Sequence, residues 1–195
     1  MKFARLPLLL SLLLATLLLT ACGPSNTVPL VASTVPNNIL PAPNAPRVSV
    51  VVFEDKRDSQ DLGVRRDGTA FVGSQDVTQW VSQALADELR RCGLQVSYAL
   101  TPDQARSGNP DYIVTGTLDK AWLREVSATE LICNMSASYR VASRSGKLSN
   151  RETLNAAQTR NDLPSGDMAK DLMTSCLRDL VQPMASKIQT IIGQK

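Results

Sequence analysis

The sequence predicts an α+β domain in which two helices cover one face of a mainly antiparallel sheet, in the order β-α-β-β-β-β-α. Three observations lead there. A nearly unbroken β-branched run, Val48-Ser49-Val50-Val51-Val52-Phe53, opens the folded part. Two stretches, one before residue 93 and one at the C-terminal end, carry apolar residues at helical spacing. Between them lie segments in which apolar and polar residues alternate with the period of two of a half-buried strand. From Arg47 onward the chain is long enough for a single core and short for two, so the elements form one two-layer domain.

The first strand, Val48 to Phe53, suits a position buried on both faces. Glu54 to Gly73 is polar and turn-rich, with a short hairpin expected around Arg66-Asp67-Gly68. An amphipathic helix follows over 75–91, with Ser74 as N-cap and Gly93 as the C-terminal stop. Val77, Trp80, Val81, Ala84, Leu85 and Leu89 line its apolar face. Leu94 to Leu100 reads as the second strand, and Thr101 to Pro110 as a polar turn with room for one helical turn. Tyr112 to Trp122 is the third strand, with Tyr112, Val114, Gly116 and Leu118 on one face. Thr129 to Val141 is the fourth, where Leu131, Cys133, Met135, Ala137 and Tyr139 share a side. Ser145-Gly146-Lys147 turns the chain into a fifth strand, Leu148 to Thr159. The last helix starts near 166 behind Ser165, and its stripe is Met168, Leu172, Cys176, Leu180, Met184, Ile188 and Ile191. Pro183 should kink it or split it in two.

The N-terminus has a different character. Lys2 and Arg5 precede an apolar run from Leu6 to Leu19, which is too short for a stable membrane span and has the length of a signal-peptide core. It ends in Leu19-Thr20-Ala21-Cys22-Gly23, which resembles the lipobox of bacterial lipoproteins. That resemblance implies removal of residues 1–21 and covalent S-diacylglycerol and N-palmitoyl lipids on Cys22. More than one chain is what stable anchoring requires, at roughly 0.8 kcal/mol per buried CH₂. Gly23, in place of an Asp, implies passage to the outer membrane on its periplasmic face. Residues 22–46 then form a flexible tether: six of the eleven prolines and no charged side chain fall between Gly23 and Pro46. Fully extended, it would reach roughly 70 Å.

Without residues 1–21 the net charge falls from +3 to +1, which removes the electrostatic case for nucleic acid. Histidine is absent, and with it the commonest general base and metal ligand. No other cofactor is implied. Three cysteines besides Cys22 would share an oxidising compartment. Cys133 and Cys176 both point toward the core and are the favoured disulfide, with Cys92 as the alternative partner of Cys176. All three as buried thiols is the remaining reading.

The lipobox, the Pro-rich tether, the strand running into Glu54-Asp55-Lys56-Arg57, and the stretch around Leu62-Gly63 together resemble the YajG-type family of bacterial lipoproteins. So do the helix at Gln75 to Leu89, the strand Pro110-Asp111-Tyr112-Ile113-Val114-Thr115-Gly116, and the final helix. The likeness spans 47–192 and brings no catalytic residues with it.

Candidate sites have bland readings beside them. Glu54 to Asp58 is a charged strand end that neutralises itself, Arg65-Arg66 belongs to a hairpin surface, and Trp80 and Trp122 suit core or edge packing. No serine has a base to activate it, and no Gly-rich phosphate loop exists. The expectation is therefore a non-catalytic accessory module that docks on an envelope protein and is tied to the membrane by its lipids. The alternative is a carrier that holds a lipid or other apolar ligand between sheet and helices. An exposed sheet edge would favour the first.

Overall fold

The computed structural model describes residues 25–31, 40–146, 149–162 and 167–193. The leader, Cys22, Gly23, Ser165 and the Lys147-Leu148 part of the last turn lie outside them.

The β-branched run forms β2 (Arg47–Val51), buried from Val48 onward on both faces. From there the chain creeps along one edge of a single long strand, β7 (Tyr112–Glu125), which three short pieces border in turn. β2 pairs with β7 in parallel at Tyr112 to Val114. β3 (Glu54–Asp55) follows at Thr117 and Leu118. β4 (Gly63–Val64) pairs at Leu123 and Arg124. The hairpin expected near residue 67 exists: β4 turns back into β5 (Ala70–Gly73), with Gly63 opposite Phe71. On the other edge of β7 run two long antiparallel strands, β8 (Glu130–Ser143) and β9 (Ser149–Asn161).

Helix α1 (Val77–Arg91) carries the chain from the first edge to β6 (Gln95–Ala99), parallel to β2. Helix α2 (Pro102–Ser107) carries it on to β7, on the far side of β2. Parallel neighbours need such crossovers, so the expected mainly antiparallel sheet with two helices is corrected. The sheet is mixed, and among the described residues three helices pack on it. The third, α2, grows from the segment expected as a polar turn with room for one helical turn, and buries Ala105 against Val51 and Ala99, with Ile113 beside them. That small cluster lies on the face opposite the main core, since Val50 and Val51 point to different sides.

The main core joins the inner face of β2, β7 and β8 to α1 and to α3 (Met168–Gly193). Trp80, Leu85, Leu118, Leu123, Met135, Tyr139, Leu180 and Met184 are all fully buried there. Two helix expectations change. The N-cap of α1 is Asp76, whose carboxylate accepts the Gln79 amide proton at 2.8 Å. Ser74 instead accepts the Leu30 amide proton at 3.0 Å. Helix α3 also runs through Pro183 without a break. Pro183 and Asp179, whose carbonyl loses its donor, both face solvent, where water can satisfy that oxygen.

The tether departs furthest from expectation. Thr27–Val28 forms β1, a strand parallel to β5 at Val72 and Gly73. Val28 and Leu30 join the main core at 2% and 4% exposure. Residues 22–46 are therefore not free along their whole length.

Candidate functional site

Cys133 and Cys176 meet across the interface of β8 and α3, both fully buried. The Cys176 thiol donates to the Ala156 carbonyl at 3.6 Å, and the neighbouring Cys176 together with burial pushes the Cys133 thiol well up. Met173 adds its sulfur 3.5 Å from the Cys133 Sγ. All three described cysteines carry free thiols in this structure. Cys92 stands apart at the end of α1, where its carbonyl accepts from the Gln189 side chain at 3.4 Å. Gln189 lies thirteen residues beyond Cys176 on α3, which is about 20 Å along the axis. Cys92 is therefore out of reach of Cys176.

The charged stretch after β2 closes on itself. Glu54 pairs with Lys56. Arg57 grips Asp55 through Nε at 2.9 Å and Nη2 at 2.8 Å, and its side chain is only 7% exposed. The same guanidinium reaches the Gln60 and Asp61 carbonyls at 3.3 Å. The hydrogen bond from Arg57 holds the Asp55 carboxyl below its usual range. A 340 Å³ cleft opens beside it, where Asp55 is engaged by Arg57, Asp76 caps α1, and Asp61 accepts from the Ser59 hydroxyl at 3.5 Å.

The glycines in the resemblance stretches have backbone roles. Gly63 sits at φ 149° with its α-carbon against β7, where an added Cβ would lie 1.8 Å from the Leu123 carbonyl oxygen. Gly116 leaves room for the Phe53 ring and the Ser138 carbonyl, each 2.7 Å from where its Cβ would stand. A network that the sequence did not reveal begins at a bulge in β7. Asp119 accepts from Thr117 at 2.8 Å and from Ser138 at 2.7 Å, and Ser138 meets Thr153 at 2.9 Å.

Hydrogen bonds hold residues 25–31 closely against the domain. Val72 donates to the Asn26 carbonyl at 2.9 Å and Ser74 to that of Val28 at 3.0 Å. The Trp80 indole N–H donates to the Val31 carbonyl at 2.9 Å. Gln75 donates its side-chain amide to Leu30 at 2.5 Å. Arg65 ties three elements together: it donates to the Ser25 carbonyl at 2.9 Å, faces Glu125 at 3.7 Å, and stacks 4.8 Å over Phe71. Trp80 is thus a core residue with a polar handle, as the sequence suggested, and that handle holds the segment read as tether. Trp122 is half-buried at the edge, beside Asp58 and Lys120.

Among the described residues no three His, Cys, Asp or Glu side chains gather to hold a metal. None of their helices is long and apolar enough to cross a membrane.

An α+β fold with a mixed curled sheet is shared with a solved protein of Xanthomonas campestris from the DUF330 family. The TM-score is 0.62 at 11% identity, over 87% of this chain and 98% of that one. A PelC dodecamer from Paraburkholderia phytofirmans matches at TM-score 0.49 and 16% identity, over 74% and 92% of the two chains. Lipoprotein GNA1162 from Neisseria meningitidis matches at 0.40 and 14%, over 74% and 99%. No family model matches the sequence. No curated protein matches it either. The likeness to the Xanthomonas protein establishes the fold, and the YajG-type family is not singled out.

Proposed function

We propose that this protein is a lipid-anchored, non-catalytic accessory module of the bacterial cell envelope, docked on a protein partner. In this reading S-diacylglycerol and N-palmitoyl groups on Cys22 hold it at the periplasmic face of the outer membrane. The observation that carries the docking half is β9. It is thirteen residues long and pairs only with β8 among the described residues. Its outer edge offers unpaired backbone donors and acceptors, which a strand of another protein can complete. The resemblance to YajG-type lipoproteins supports the anchor half through Leu19 to Gly23.

The carrier alternative places an apolar ligand between sheet and helices. Among the described residues that interface is packed with Trp80, Leu85, Leu118, Met135, Leu180 and Met184, which favours docking over carriage.

The test uses photo-crosslinking amino acids placed at Thr153 or Thr159 on β9, and at Gln83 on the solvent face of α1, in cells making the full chain. Crosslinks to one envelope protein from the β9 positions alone are expected. Equal yield from Gln83, or none anywhere, would sink the docking claim. Labelled palmitate compared between wild type and Cys22→Ala tests the anchor separately. Equal incorporation in both would end it.

A further inference from the structure

A second cleft, of 560 Å³, lies between α2 and the outer face of the sheet, where β7 begins and β8 ends. Arg106 on α2, Arg140 on β8 and Arg144 just beyond it line its wall, and no carboxylate does. Arg106 meets Asp103 at 2.6 Å, but both side chains are open to water, so that pair is weak. Arg140 stands directly opposite Arg151 on β9. Like charges in that position repel across an antiparallel pair. Arg140 donates from Nε to the Ser149 hydroxyl at 2.8 Å. Neither Arg140, Arg144 nor Arg151 meets an acidic partner among the described residues.

The backbone under these side chains is firmly placed. The Arg144 amide donates to the Asp111 carbonyl at 2.9 Å, and Asp111 donates to the Arg47 carbonyl at 2.8 Å. Beside them on the same face the surface is apolar: Ile113 packs on the small second core, and Ala142 lies directly across from it. Thr115 sits between the two kinds of surface, opposite Arg140.

We propose that this cleft binds a phosphate ester carrying an apolar group. The guanidiniums of Arg140 and Arg144 would donate paired hydrogen bonds to the phosphate oxygens, with Arg106 adding charge from α2. The anion removes the repulsion between Arg140 and Arg151. Ile113 and Ala142 take the apolar part of the ligand. An anionic phospholipid headgroup and a soluble phosphate monoester share this chemistry. The proposal does not depend on acylation of Cys22. The cleft lies at the start of β7, whereas β1 joins through β5 and β4 near Leu123. Ten strand residues, about 33 Å, separate the two positions.

The mature protein in uncharged detergent micelles tests it. Binding is followed as the micelles are doped with phosphatidylglycerol, with phosphatidylcholine as the zwitterionic control, and as inorganic phosphate is added alone. Three variants are compared: Arg140→Gln with Arg144→Gln, Arg106→Gln, and Arg66→Gln on the exposed hairpin tip. The double variant should lose about tenfold or more in affinity for phosphatidylglycerol, and Arg106→Gln less, while Arg66→Gln stays at wild-type affinity. Competition by inorganic phosphate would show that the phosphate alone suffices. Lipid binding that phosphate cannot displace would assign the glyceride part a share. Equal losses in Arg66→Gln and the double variant would reduce the effect to diffuse charge and overturn the site, as would failure of both probes to bind. All four arginines are exposed, so thermal unfolding should be unchanged and a fold defect is separable.

Discussion

Gly63 shows what a single residue does here. In the sequence it sits in a polar stretch and reads as a turn. In the fold it lets β4 touch β7, and any side chain there collides with the Leu123 carbonyl. Gly63→Ala should therefore cost about 2 kcal/mol or more in denaturant unfolding. A loss of a few tenths would mean the two strands separate easily. Cys133 and Cys176 were legible as core partners because alternation on β8 and the helical stripe on α3 aim both inward. What the pattern could not supply is the bond. Both thiols lie in the one core between β8 and α3, where an oxidant could join them, and a loop of this length would add about 4 kcal/mol. Alkylation of unfolded, unreduced protein should then label Cys92 alone among the three, and labelling of all three would refute the pairing. Glu152 accepts from Lys187 at 2.6 Å and from Tyr139 at 3.3 Å, tying β9 to α3. The Lys187 hydrogen bond lowers its pKa. A depressed carboxyl stabilises above its unfolded value, near 4.3, and loses that contribution as pH falls through the folded value. Glu152→Gln should cost a few tenths to about 1 kcal/mol at neutral pH, with no difference left in strong acid. A gap that persists there would point to packing instead.

Among the elements, β1 is the one composition hid. Averaged over 23–46, the chain is proline-rich and uncharged, which describes a tether. Val28 and Leu30 are ordinary residues in that average. Their burial depends on a groove built by β5, Leu62 and Trp80, residues far away in sequence. Helix α2 was legible only as room for one helical turn, for a related reason: six residues carry too little periodicity to separate a helix from a turn, and only the parallel pairing of β6, β2 and β7 demands a crossover there. The long strands and the two long helices were readable because their patterns repeat many times. Burial of Val28 and Leu30 is worth about 1.5–3 kcal/mol each. Leu30→Asp should release β1 while leaving the main sheet intact. Hydrogen exchange would show it: the Val72 and Ser74 amides, which donate to Asn26 and Val28, should lose protection, and those of β7 to β9 should keep theirs. Loss of protection throughout would make β1 part of the global folding unit.

At the scale of the whole molecule, the docked strand changes how the domain would stand on a membrane. A free tether from Cys22 to Pro46 would let it roam tens of ångströms from the surface. With β1 in place, only Gly23 to Asn26 separate an acylated Cys22 from a residue paired into the sheet. Four residues and their flanking bonds span at most about 18 Å. The β5 edge and the hairpin tip would then ride beside the lipid headgroups, and α2 would lie toward the far end of β7. A spin label at Gly68, at the tip of the hairpin, should feel a relaxation agent confined to the bilayer surface when the acylated protein sits in vesicles. A label at Ser107 on α2 should feel it much less. Leu30→Asp should bring the two labels toward equal exposure, because it restores the long tether without touching the lipids. If wild type already shows equal exposure, β1 does not hold on the membrane, and the domain swings on the full length of residues 22–46.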